Sequence, residues 1–153
     1  MQRSSSMSPE LGATHRLVAL VALVAFVFVG GCGSTGTGQE GLLDTPLLTV
    51  TSDSAALEVA VFSNPQPPVR GNLLFRYRIT DASGAPVDGL SLEVKPWMPA
   101  MGHGASVTPT VTARGSGEYD LSNVYLVMAG QWQLQTTITG GASDHAAPEF
   151  MVR

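Results

Sequence analysis

Leu73-Leu74-Phe75-Arg76-Tyr77-Arg78-Ile79-Thr80 is the stretch that decides the fold. Leu73, Phe75, Tyr77 and Ile79 alternate with Leu74, Arg76, Arg78 and Thr80. A period of two puts one face in a core and the other in water, as a β-strand does and a helix does not. The pattern recurs upstream, where Leu57, Val59 and Val61 alternate with Glu58 and Ala60. Downstream, Leu90, Leu92 and Val94 alternate with Ser91, Glu93 and Lys95, and Trp132, Leu134, Thr136 and Ile138 with Gln133, Gln135, Thr137 and Thr139. Residues 47–51, 106–113, 119–125 and 148–152 are weaker strand candidates. Between them, residues 64–68, 81–89, 114–117 and 140–145 carry the Pro, Gly, Asn and Asp of turns and loops. Seven or eight short strands at this spacing predict an all-β, immunoglobulin-like β-sandwich over residues 47–153, with a small closed barrel as the alternative. Gly117-Glu118-Tyr119-Asp120-Leu121 has the form of a tyrosine corner, in which the Tyr hydroxyl ties a strand start to nearby backbone.

Upstream of the strands the composition changes. Residues 1–16 are polar and carry Arg3 and Arg16, and residues 17–29 (LVALVALVAFVFV) are apolar without a charge. Thirteen residues are short for a bilayer span, which takes about 20, and fit a signal-peptide core. The run ends in Val29-Gly30-Gly31-Cys32, which resembles the lipobox of bacterial lipoproteins. That resemblance implies a signal peptide over residues 1–31, cleavage before Cys32, and a diacylglyceryl group on its thiol, often with a fatty acyl chain on the new amino terminus. Several chains anchor stably where one is marginal. An ordinary transmembrane anchor, or a cleaved signal with a chance cysteine, is the competing reading. Gly33 follows the cysteine, not the Asp of inner-membrane retention, so an outer-membrane destination is expected in a Gram-negative source. Residues 32–46 are expected to be the lipidated cysteine and a Gly/Ser/Thr-rich flexible linker.

Charge and cysteine count exclude several classes. The part after residue 31 loses Arg3, Arg16 and Glu10, leaving 6 basic and 11 acidic groups, a formal −5. No basic stripe is present, so no nucleic-acid partner is expected. Cys32 is the single cysteine, which rules out an internal disulfide and any thiolate site in the folded part.

One loop carries candidate chemistry: Lys95-Pro96-Trp97-Met98-Pro99-Ala100-Met101-Gly102-His103-Gly104. It offers two thioethers and an imidazole within six residues. Thioethers are soft, neutral donors and, with imidazole, suit Cu(I) far better than calcium or magnesium. They need no deprotonation, so only His103 would make binding depend on pH. Trp-Met-Pro-x-Met-Gly-His-Gly here, then Gly-x-Gly-x-Tyr at 115–119, then Met-Ala-Gly-Gln-Trp-Gln-Leu at 128–134, together resemble the YtkA-like domain, related to FixH-like proteins, over about residues 57–152. The resemblance implies an immunoglobulin-like sandwich in exported or membrane-anchored proteins that handle metal, copper especially. By position, Met98, Met101 and His103 match its Met/His motif, and Met128, Gly130 and Trp132 its second block. FixH-like proteins carry a transmembrane helix where this chain has a lipobox, which speaks against a role in a membrane oxidase assembly complex.

The leading expectation is thus an exported lipoprotein, held to the membrane and facing the periplasm or the cell exterior. It would bind or carry Cu(I) through Met98, Met101 and His103, with Met128 as a fourth donor, and exchange it with copper-handling or efflux proteins of the envelope. The alternative is a non-enzymatic interaction module of an envelope efflux or assembly system, the same loop serving as a recognition surface without metal. Each residue also has a plainer role: Met98 and Met101 as fillers capping the core, His103 as an exposed side chain between glycines, Met128 as turn packing, Trp97 as strand-end packing, and Trp132 as core. His145, beside Asp144, reads as solvated loop polarity. No enzyme is expected. There is no nucleophile elbow, phosphate-cradling loop or His-Glu-x-x-His, the carboxylates Glu93, Glu118, Asp120 and Asp144 are scattered, and no small-molecule substrate suggests itself.

Overall fold

Among the described residues, alternation becomes structure in ten strands: β1 Leu48–Thr51, β2 Leu57–Asn64, β3 Gly71–Asp81, β4 Ser91–Met98, β5 His103–Gly104, β6 Thr110–Gly115, β7 Glu118–Leu126, β8 Gly130–Thr139, β9 Asp144–Ala146 and β10 Glu149–Val152. Among the described residues the one helical element is a 3-10 turn, Pro99–Met101, between β4 and β5. These come from a computed structural model, which describes residues 41–141 and 143–153. Cys32 and the signal peptide and most of the linker read above lie outside the described residues.

Two antiparallel sheets face each other as a sandwich. One runs β1-β2-β3-β7-β6; the other runs β10-β8-β4-β5, with β9 beside β10 on the same edge of β8. Inward positions of the alternation pack as expected: Val59, Val61, Phe75, Tyr77 and Ile79 from the first sheet meet Val94, Trp132, Leu134 and Ile138 from the second. The Phe75 and Phe150 rings cross the gap with centroids 5.1 Å apart. Tyr77 is fully buried, and its hydroxyl lies 3.1 Å from Thr136 Oγ1. Burial pushes that hydroxyl above its ordinary pKa, the Thr136 hydrogen bond notwithstanding. It is therefore a neutral tie between the sheets. Outside the first sheet, Arg76 and Arg78 of β3 stand opposite Asp120 and Glu118 of β7, with Arg76 Nε 2.6 Å from Asp120 and Arg78 Nη2 2.9 Å from Glu118.

Details differ from the sequence reading. β5 and β9 are strands where only loop was expected, so His145 sits on a short strand opposite Thr137, exposed, instead of in a loop. β6 begins at Thr110 and not at residue 106, with Pro109 buried before it. The tyrosine corner forms, but not with nearby backbone. Tyr119 Oη donates to the Val87 carbonyl at 2.9 Å and accepts from Leu90 N–H at 3.1 Å, about thirty residues earlier. It thereby pins the start of β7 to the connection between the two sheets.

Strand pairing sorts the connections into two ends. Leu48 with Val61, Gly71 with Leu126 and Val152 with Gly130 mark one end, where the short turn 127–129 passes from β7 to β8. The 3-10 turn packs against β8 at this same end. At the other end lie the Tyr119 corner and the β1–β2 loop.

Candidate functional site: the methionine–histidine hairpin

β4 reaches this site with the parity of its core positions. Leu92, Val94 and Pro96 face inward, and Met98, next in the series, is only 6% exposed. Proline at 99 starts the 3-10 turn, and Gly102, at φ +68, ends it in the left-handed conformation that glycine adopts at least cost. Gly102 N–H donates to the Met98 carbonyl at 3.0 Å, and Met98 then pairs with His103 across the hairpin. Met98, Met101 and His103 are thus gathered by a turn of six residues.

Burial divides them. Met98 points into the core, where its Cε occupies the space beside Gly130: a Cβ there would lie 2.7 Å away. Met101 is 57% exposed on the turn. His103 is exposed on the edge strand, its Nδ1 3.3 Å from the Gly104 carbonyl. Met128 is half-buried against the core, two residues before Gly130, and its carbonyl accepts from Trp132 Nε1 at 2.9 Å. The four predicted donors therefore share one end of the sandwich, two at the rim of the core and two at the surface. Trp97 pairs with Gly104, half-buried, with the Lys95 ammonium 5.2 Å from its ring centroid. Gly104 is needed for this: a Cβ would come within 2.8 Å of the Pro96 carbonyl and 3.4 Å of the Trp97 ring.

The donor chemistry suits a soft ion. Among the described residues no three or more His, Cys, Asp or Glu come together as a metal cluster, so a metal held at this hairpin would depend on thioethers. Thioether and imidazole donors fit Cu(I) and fit hard cations poorly. Gly130, through which Met98 and the 128–130 turn meet, was read only as part of a motif; its position directly after Met-Ala is the signal that it clears space for a side chain.

The chain belongs to the YtkA-like family, whose model matches residues 51–137. No curated protein matches it in sequence. Among solved structures, a copper-bound variant of FetP from uropathogenic Escherichia coli strain F11 aligns at 10% identity and TM-score 0.47, covering 70% of this chain and 95% of that one. FetP of the same strain as isolated, recombinantly expressed in the E. coli periplasm, aligns at 12% identity and TM-score 0.48, covering 68% and 91%. The copper and the periplasm belong to those proteins.

Proposed function

We propose that this chain is an exported lipoprotein, anchored through Cys32, that binds and carries Cu(I) at the methionine–histidine hairpin and catalyses no reaction. One observation carries the copper reading: a single tight turn sets Met98, Met101 and His103 at one end of a rigid sandwich, and the neighbouring 128–130 turn adds Met128. Met101 and His103 are the exposed donors that an arriving ion meets, and Met98 and Met128 are donors held by packing. A neutral thioether set retains Cu(I) without holding it as tightly as thiolates would, which suits a carrier that must also release its cargo.

The test is a Cu(I) competition titration of the protein against chelators of graded strength. Met101→Ala/His103→Ala removes the exposed donors without touching the core, and Met98→Leu removes the buried sulfur at nearly constant volume. One-to-one binding that Met101→Ala/His103→Ala abolishes and Met98→Leu weakens is the expected result. A native protein that loses Cu(I) to the weakest chelator sinks the copper reading.

A further inference from the structure

The seven large apolar side chains exposed among the described residues all fall at one end of the sandwich. Val69 precedes β3, Tyr125 lies near the end of β7, Val127 follows it in the turn, and Met101 tops the hairpin. Val107 reaches the same place from the connection before β6, where it shares a hollow with Asn72 and Tyr125, and Met151 pairs with Gln131 one residue from Gly130. Leu43 lies on the segment by which the chain arrives. Val69, Arg70, Gly71, Tyr125, Val127 and Arg153 line an open groove of about 420 Å³ there, so two guanidinium-bearing residues border the apolar patch. Glu40 and Asp44 are the acidic residues on the arriving segment. The opposite end instead gathers Asp53, Asp81, Asp88 and Asp144, and none of the exposed large apolar side chains.

The arriving chain supplies the occupant. Leu47 N–H donates to the Val61 carbonyl, and the Gln66 side-chain amide donates to the Thr45 carbonyl, so the chain joins β1 at the apolar end. Residues 33–46 separate Cys32 from that junction. Fourteen residues span at most about 48 Å when fully extended. β8, with ten residues, is itself about 33 Å long. A lipid at Cys32 therefore holds the apolar end nearest the bilayer, and turning the acidic end toward it would require the linker to run the length of the sandwich.

We infer that this end rests on the anionic headgroup surface of the membrane, with Val69, Tyr125 and Val127 seated among the headgroups and Arg70 and Arg153 facing lipid phosphates. Tyrosine suits that depth, with an apolar ring and a wet hydroxyl, and Arg near an anionic leaflet adds attraction. An apolar patch with two arginines at its border is a composition that suits a surface lying on a membrane instead of crossing it. The orientation rests on the lipid-anchor part of the proposed function, and the test separates the two.

The full chain is exported, purified and reconstituted in vesicles of phosphatidylglycerol and phosphatidylethanolamine, and its hydrogen exchange is compared with that of Tyr125→Glu/Val127→Glu in the same vesicles. Metabolic incorporation of a labelled fatty acid reads the anchor independently. Docking predicts slower exchange in the native chain at Gln66 and residues 69–71, by about tenfold for partial burial of two such side chains, and equal exchange at 82–89 and 115–117. It also predicts that Arg70→Gln/Arg153→Gln loses the protection gained on replacing phosphatidylcholine by phosphatidylglycerol. Fatty acid incorporated but equal exchange everywhere overturns the docking and leaves the anchor standing. Protection without incorporation upholds the docking and removes the anchor, and loss of both signals overturns both.

Discussion

The two ends of this sandwich are built on opposite terms. At one, polar groups are paired in depth. Tyr119 bridges Val87 and Leu90, Asp88 accepts from Ser116 and Gly117 N–H, and Asp144 accepts from Ser54 Oγ at 2.5 Å, Ser54 N–H at 3.0 Å and His145 N–H at 2.8 Å. Asp144 joins the β1–β2 loop of one sheet to β9 of the other. At the far end, the apolar side chains Met101, Tyr125 and Val127 face outward, and the thioethers and imidazole lie among turns. The contrast teaches a division of labour. The end with satisfied hydrogen bonds holds the sheets together, while the other end leaves its large apolar side chains at the surface.

Asp144→Ala should be the sharpest break in that division. Burial alone would raise the carboxyl's pKa, but hydrogen bonds from the Ser52 and Ser54 hydroxyls and from Ser54 and His145 N–H outweigh it and hold the group well below the usual carboxylate range. The alanine variant removes the acceptor those donors share, and because Ser54 and His145 are exposed and water takes over part of the loss, the cost in urea unfolding is about 2 kcal/mol. Because the folded-state pKa is depressed, this contribution is fully present above the unfolded value near 3.9 and disappears as pH falls toward the folded one. Native stability should therefore drop below about pH 4 more steeply than that of Asp144→Asn; parallel acid-unfolding curves would assign the tie to other groups. Tyr119→Phe comes next, at about 1–2 kcal/mol, since it strands the Leu90 N–H and the Val87 carbonyl while keeping the ring. A change under 0.5 kcal/mol would mean that water replaces the hydroxyl. The smallest effect belongs to the other end: Met101→Ala and Val127→Ala, each about half exposed, should leave the urea midpoint within about 0.5 kcal/mol of native. A larger loss there would make the apolar end a structural one as well.

Legibility in the sequence followed the same line. β2, β3, β4 and β8 are long enough for alternation to show, and their inward residues were read correctly. β5 and β9 span two and three residues, too few for any period, and their pairing depends on neighbours distant in the chain. β7 was blurred by a shift of register: between Leu121 and Val124, both buried, Asn123 takes φ +60, which breaks the period of two. The tyrosine corner was visible as a motif, but its partners about thirty residues away were not, because nothing local marks Val87 or Leu90 as the backbone that Tyr119 reaches. At the candidate site the donors were legible by type. Their burial was half legible, since Met98 has the parity of Leu92 and Val94 and could have been placed inside on that ground alone. The exposed cluster of Val69, Tyr125 and Val127 was not visible at all, since turns far apart in sequence bring it together.

Among the described residues, the short β5 leaves most of β4 with a bare outer flank, because it pairs with Trp97 and Met98 alone. Such a flank invites a second copy to add its own strand, and chains crowded at high local concentration are the ones at risk of stacking into fibrils. Pro96 brings no N–H to this flank, and its carbonyl is taken by Ala105. Glu93 and Lys95 add charge beside it. On the other sheet, β6 is broken by a bulge between Ala113 and Gly115 and carries Arg114. Both flanks are thus poor templates for growth, and Pro96→Val, which would restore an N–H on this flank, should reveal the cost as aggregation on storage.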